Sequence, residues 1–541
     1  MVDDIKQLVG IALLMMFVQV GFAGSQPNVI IMLADDLGWA DVGYHSGDIE
    51  TPSLDRLAAE GVRLDRFYTT PICSPTRAAL MTGRNPIRLG VAYAVILPWD
   101  TNGIHPDEYF LPEAFLAAGY RTAMVGKWHL GHAQQTYHPN ERGFEHFYGH
   151  LHTEVGYFSP FSNQGGTDFQ RNGVTIDDEG YETFLLGDEA SRYIRKRDKD
   201  KPFFLYMPFL APHTPLEAPD DLIEKYADIE TDLPPARSQQ TDGTRTMSRL
   251  MMRESARPMY AAVVDAMDQA IGQVLTTLDE EQISDETIVL FFSDNGGAAY
   301  SVGGANNAPL RGGKGETFEG GIRVVSLLRW PDQLAAGGKM ESIMTVMDVF
   351  PTLMDAAGIE PGPHYPWDGR SLWPAIKDGK QQPRQDDVFF VSETPIYGQI
   401  MTTVFNEEWK LVQEIQHSLG RATQAHALVG HHDRPVDQKR MRQHDVDQLI
   451  VSQRGIVQAQ FVIGRALAAQ QIARWHRHLI QQRNQALTRR WIFQILDDFR
   501  RLAGRFDHGQ HIARCAAFGV VIDQRSHEIS SSVGVSLVAD E

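Results

Sequence analysis

Along most of the chain, short unbroken apolar runs alternate with segments in which apolar residues recur every three or four positions. The runs are "NVIIMLADD" (28–36), "RTAMVGKWH" (121–129), "KPFFLYMPFLAPH" (201–213) and "TIVLFFSDNGG" (287–297). Apolar residues on both alternating faces predict strands buried on both sides, as in a parallel sheet. "TPSLDRLAAEG" (51–61) reads as a helix: Thr51 is placed to cap, Pro52 fits the first turn, Leu54, Leu57 and Ala58 share a face, and Gly61 ends it. "FLPEAFLAAGY" (110–120) repeats that pattern. In "MYAAVVDAMDQAIGQVLTTL" (259–278), Met259, Ala262, Val263, Ala266, Met267, Ala270, Ile271, Val274 and Leu275 keep helical spacing. Strands alternating with helices predict an α/β domain, a large mixed, mostly parallel sheet sandwiched by helices.

Each apolar run stops at groups with chemistry: Asp35 and Asp36, then Lys127 and His129, then His213, then Asp294 and Asn295. In open α/β sheets ligands bind beyond the carboxyl ends of the strands, where these residues fall. Any one Asp or Asn at a strand end commonly caps a helix. Two such pairs, offering only side-chain oxygen, form a ligand set for a hard cation, Ca²⁺ or Mg²⁺, and a poor one for zinc. Arg77, Lys127 and Lys314 lie in "CSPTR", "VGKWHLGH" and "LRGGKGETFEGG", among glycines and apolar residues. Together with a divalent cation they would bind a tetrahedral oxyanion. His129 and His213 titrate near neutral pH and can move the protons of nucleophile and leaving group. The set fits metal-assisted cleavage of a phosphate or sulfate ester. Cys73 is the remaining candidate for the nucleophile.

"CSPTRAALMTGR" (73–84) and "GYRTAMVGKWH" (119–129) match the two signature patterns of the type I sulfatases of the alkaline phosphatase superfamily. "LADDLGWADVGYH", "APHTPLEAP", "SDNGG", "LRGGKGETFEGG" and "MDVFPTLMDAAGI" follow in the family's order. The chain resembles that family over about residues 27–412. Within it, "LPWDTNGIHPDEYFLPEAF", "ERGFEHFYGH" and "GGANNAPLRGGKGETFEGG" are most similar to arylsulfatase B, the N-acetylgalactosamine 4-sulfatase type. The resemblance implies a sulfuric ester hydrolase acting on a sulfated carbohydrate or aryl sulfate. It implies that a formylglycine-generating enzyme oxidises Cys73 to formylglycine, read through Pro75 and Arg77. Asp35, Asp36, Asp294 and Asn295, with modified residue 73, would hold Ca²⁺. Arg77 would stabilise the hydrated aldehyde, and Lys127, His213 and Lys314 would bind sulfate. His129 would deprotonate a hydroxyl on residue 73, and His213 would protonate the departing alcohol. A phosphodiesterase or phosphonate monoester hydrolase shares this fold and chemistry, and an inactive sulfatase-like binding protein is the reading from another class.

Composition adjusts this picture in three places. The formal charge of −19 over 541 residues argues against a nucleic-acid partner. Residues 1–24 contain "LVGIALLMMFVQVGFA" followed by small residues, which reads as a signal peptide and so as periplasmic or secreted, with no membrane span after its removal. The catalytic domain is expected over 25–385 and the start of a smaller C-terminal α+β subdomain over 386–415. From 416 to 541 the text turns rich in Gln, Arg and His and net basic, unlike the acidic remainder, and the family match stops. That subdomain therefore reads as truncated or replaced. The second cysteine, Cys515, lies in this tail and is too remote to suggest a disulfide framework.

Overall fold

The computed structural model describes residues 26–158, 162, 166–229, 256–298, 304–363, 365–394, 399–407, 409–416 and 425–428. The expectations for the leader, for Cys515 and for the tail beyond residue 428 lie outside the described residues. A ten-stranded sheet organises the chain. Its strands are β1 (Asn28–Ala34), β2 (Val62–Leu64), β4 (Arg121–Lys127), β5 (His146–His150), β6 (Gln170–Arg171), β7 (Val174–Thr175), β8 (Phe203–Pro208), β9 (Thr287–Ser293), β10 (Ser326–Arg329) and β11 (Gly338–Met340). The order is β11-β2-β10-β9-β1-β8-β4-β5-β6-β7. The centre, β9-β1-β8-β4-β5, is wholly parallel, and antiparallel pairings at β10 and β6 flank it. A short pair, β3 (Phe67–Tyr68) with β12 (Met344–Thr345), lies apart.

The double-sided burial expected of the apolar runs is seen in β1. Val29, Ile31 and Leu33 enter one core, while Ile30, Met32 and Ala34 enter the other. Among the described residues, the helices of seven or more residues are α1 (Pro52–Glu60), α2 (Cys73–Thr82), α3 (Leu111–Ala117), α4 (Glu182–Arg195), α5 (Ala256–Glu280) and α6 (Val349–Ala357). Apolar residues of α1, α4 and α5 line one core and those of α2, α3 and α6 the other, giving three layers. Helix α5 extends the 259–278 expectation at both ends and is buried almost all round. A second sheet of four antiparallel strands, β13 (Val388–Thr394), β14 (Gln399–Phe405), β15 (Lys410–Gln416) and β16 (Ala425–Leu428), follows. Its last strand lies inside the segment of altered composition. Met401 and Val412 of this sheet pack on Phe318, four residues beyond Lys314.

Sheet geometry places the chemistry. β1 and β9 pair in register up to Ala34 opposite Ser293, so Asp35-Asp36 and Asp294-Asn295 emerge side by side. β4 approaches β8 and β5 unusually closely one residue before Lys127. A Cβ on Gly126 (φ +133°) would lie 1.9 Å from the Pro208 carbonyl oxygen, and one on Gly149 (φ +146°) 2.1 Å from that of Gly126. Only glycine fits either position. Gly126→Ala is expected to destabilise the fold by at least about 1–3 kcal/mol, the usual penalty for such backbone strain, read as a lower urea midpoint.

Candidate active site

The site is built on a turn that the chain adopts only under constraint. β1 ends at Ala34, and Asp36 then takes φ +72°, uncommon for a residue with a side chain. Interactions around the turn fix it. Leu37 N–H donates to Ser293 Oγ at 3.0 Å, and Gly38 N–H donates to the Tyr260 hydroxyl at 3.1 Å. That hydroxyl donates to Asp41 Oδ2 at 2.9 Å, and buried Asp41 also takes Arg257 Nη1 at 2.6 Å and Asn306 N–H at 2.9 Å. The first turn of α2 faces this turn. Cys73 begins the helix, every residue of which is buried, and its Sγ lies 3.5 Å from Asp35 Oδ1.

Three carboxylates meet three fixed cations here. Arg77 Nη2 donates to Asp35 Oδ2 at 2.8 Å and to Asp294 Oδ2 at 3.0 Å, and its Nη1 donates to the Lys127 carbonyl at 2.8 Å. Lys127 Nζ donates to Asp35 Oδ2 at 2.5 Å, and Lys314 Nζ donates to Asp36 Oδ2 at 2.7 Å. Asn295 Nδ2 donates to Asp36 Oδ1 at 2.7 Å. His213 Nε2 stands 3.7 Å from Asp36 Oδ2. His129, at φ +61°, donates from Nε2 to the Ile96 carbonyl at 3.1 Å, and its buried Nδ1 has no hydrogen-bond partner among the described residues.

Burial and charge set the protonation pattern. Burial would raise the Asp35 pKa, but Lys127, His213, Arg77 and Lys314 outweigh it and hold the carboxyl well below the usual range. Burial, and then the charge of Asp35, push Asp294 up to about 7. Burial and the nearby cations Lys127 and Arg77 push His129 down, and burial and Lys314 push His213 down, so both imidazoles favour their neutral forms. Burial and Asp35 push the Cys73 thiol well up, the opposite of what a nucleophilic thiolate needs.

The residues fit a hard divalent cation. Ligand atoms of Asp35, Asp36, Cys73 and His213 lie within 4.8 Å of one another. Asn295 Oδ1 is buried with no partner among the described residues, and the buried carboxylates of Asp35, Asp36 and Asp294 converge at the same strand ends. Oxygen donors in this number suit Ca²⁺ or Mg²⁺.

A family model described as Sulfatase matches residues 27–359. This chain belongs to the sulfatase family. The sulfatase is 34% identical over 399 residues to mouse arylsulfatase J, covering 72% of this chain and 62% of that one. It is 34% identical over 387 residues to human N-acetylgalactosamine-6-sulfatase, covering 67% and 68% respectively. It also resembles the crystal structure of Ps i-CgsB in complex with k-i-k-neocarrahexaose, with a TM-score of 0.64 and 31% identity, over 72% of this chain and 84% of the other.

All ten residues singled out in the sequence sit at one end of the sulfatase's sheet, though they span positions 35 to 314. Sequence reasoning missed the residues that hold them. Asn307 accepts Gly297 N–H at 2.9 Å and donates to the carbonyls of Gly297 at 2.8 Å and Gly312 at 3.2 Å. It thereby ties the Asp294 loop to the Lys314 loop. Its place beside the "RGGK" stretch was the available signal. Tyr260 had none, because on a helix buried almost all round a tyrosine reads as packing. Arg77→Ala removes the cation shared by two fully buried carboxylates. It is expected to destabilise the metal-free protein by about 3–5 kcal/mol in urea unfolding, with added Ca²⁺ restoring part of the loss.

Proposed function

We propose that this sulfatase hydrolyses the sulfate ester of a carbohydrate or aryl alcohol, with residue 73 acting after conversion from cysteine to formylglycine. One observation supports the reading above others: a buried thiol, 3.5 Å from Asp35 and pushed away from ionisation, among the carboxylates that Arg77, Lys127 and Lys314 pair with. Such a thiol makes chemical sense as a precursor. Hydrated formylglycine supplies two hydroxyls on one carbon, one to attack sulfur and one whose deprotonation releases sulfate. Asp35, Asp36, Asp294 and Asn295 would hold Ca²⁺, which would supply charge stabilisation for oxygen at the reacting centre.

The protein's own residues do the rest. Lys127 and Lys314, which rest on Asp35 and Asp36, are placed to grip sulfate oxygens once those carboxylates are otherwise neutralised. Arg77 holds Asp35 and Asp294 apart from solvent and fixes their spacing. His129 Nδ1 is the buried base that accepts a proton from residue 73. His213 gives a proton to the departing oxygen, with Glu154 Oε2 3.7 Å behind its Nδ1. A carbohydrate substrate is favoured by the likeness to N-acetylgalactosamine-6-sulfatase and to the complex with k-i-k-neocarrahexaose. Among the described residues no helix is long and apolar enough to cross a membrane, and the apolar stretch within residues 1–24 supports export to the periplasm or beyond.

Two measurements test this reading. Protein made in a host with a formylglycine-generating enzyme is expected to yield the residue-73 peptide at the mass of formylglycine, and to cleave 4-nitrophenyl sulfate in preference to 4-nitrophenyl phosphate. Only unmodified cysteine, or a preference for phosphate, rejects it. His213→Ala is expected to lower kcat by about 10²–10⁴ on an alkyl or sugar sulfate. It should act far less on 4-nitrophenyl sulfate, whose phenolate leaves without a proton.

A further inference from the structure

A closed circuit of contacts starts and ends at the reactive centre and runs around one side of its mouth. Ser74, next to Cys73, accepts the Ile96 N–H on its Oγ at 3.1 Å, and the Ile96 carbonyl accepts His129 Nε2 at 3.1 Å. Two residues on, the Pro98 carbonyl accepts His132 Nε2 at 3.0 Å. The His132 ring meets the His152 ring edge to face at 4.5 Å. His152 is fixed by its N–H to Asp168 Oδ2 at 2.7 Å. Glu154, two residues further, faces His213 Nδ1 at 3.7 Å, and His213 returns the circuit to Asp36.

At the outer edge stands Trp99, 64% exposed. It is no loose surface residue. Asp100 N–H donates to the Leu97 carbonyl at 2.9 Å and Leu97 N–H donates to Asp100 Oδ2 at 2.8 Å, so the indole projects from the tip of a doubly closed turn. That turn is anchored through Ile96 and Pro98 to the first turn of the helix bearing Cys73 and to the loop bearing His129 and His132. An exposed indole, next in the chain to the Pro98 carbonyl that takes His132 Nε2, offers what a sugar ring needs: a flat apolar face for its C–H bonds, with polar groups on the neighbouring segment for its hydroxyls. The circuit contains neither lysine nor arginine, and Glu154 adds negative charge to it.

We propose that Trp99 is the ring-binding residue of this enzyme: the pyranose bearing the scissile sulfate stacks on its indole, His132 and His152 face the ring hydroxyls, and Glu154 disfavours a second sulfate on that side. The inference rests on the sulfate-ester reading above and names what that reading leaves open, the part of the substrate recognised outside the anion pocket. Trp99 selects among alcohols; it does not touch the reacting atoms.

The test uses the full, converted chain, with Trp99→Ala and Trp99→Phe, on a panel of mono- and disulfated hexose and hexosamine disaccharides and on 4-nitrophenyl sulfate. For the best disaccharide, Trp99→Ala is expected to raise KM about tenfold or more with kcat within about threefold, and Trp99→Phe to recover most of the loss. The native enzyme is expected to favour a monosulfated disaccharide over its disulfated counterpart. Circular dichroism and melting temperature, unchanged in both variants because the indole packs no core, exclude misfolding as the cause. A saccharide KM within about twofold of native in Trp99→Ala overturns the proposal, as does preference for the disulfated counterpart. Cleavage of 4-nitrophenyl sulfate with no saccharide cleaved overturns it while leaving the sulfatase reading intact. Failure on every sulfate ester, with residue 73 converted, removes the sulfatase reading itself.

Discussion

Mutual repulsion among Asp35, Asp36 and Asp294 is the constraint to which the rest of this site responds. Three carboxylates buried side by side are untenable alone, since each raises the cost of ionising the others. Arg77 bridges two of them from inside the core, Lys127 shares the same Asp35 oxygen, and Lys314 takes one of Asp36. The fixed charges then nearly cancel among themselves. A divalent cation held there would leave the pocket net positive, which favours an anionic ligand beside it.

The sheet makes this crowding affordable by geometry. In-register pairing of β1 with β9 delivers two acidic pairs at one height, and close approach of β4 and β8 brings Lys127 within reach of Asp35 across the intervening strand. The left-handed turn at Asp36 aims its carboxylate back at Asn295 and Lys314. Tyr260 and Asp41 hold that turn from the helical layer, while Asn307 holds the loop opposite. Strand ends and the buried helix at Cys73 thus deliver Lys127 and Arg77, while hydrogen-bonded turns just beyond the strands hold Asp36, Asp294 and Lys314.

Much of this was readable from the chain, for physical reasons. Continuous apolar runs admit few structures besides strands buried on both faces, so polar residues at their ends could be placed at one edge of a parallel sheet. Asp35, Lys127 and Asp294 were legible for that reason. Arg77 and Lys314 were visible only through unusual neighbours, and their pairing with particular carboxylates required the fold. β2 and β10 escaped notice because three- or four-residue strands leave no periodic signature. Tyr260, Asp41 and Asn307 act through hydrogen bonds between residues more than two hundred positions apart, or across loops, and no local pattern encodes those. The boundary read from composition near residue 416 does not coincide with the end of the second sheet, since β16 lies beyond it.

Burial of the helix that begins at Cys73 also dictates an order of events. The side chain is 2% exposed, and its neighbours Pro75 and Arg77 are enclosed with it. The partners that enclose them come from as far along the chain as Asp294 and Lys314. Until those residues emerge, the Cys-Ser-Pro-Thr-Arg stretch is a readable peptide; afterwards it is the inside of a protein. A catalyst that converts residue 73, as proposed above, would therefore have to act before the rest of the chain closes around it.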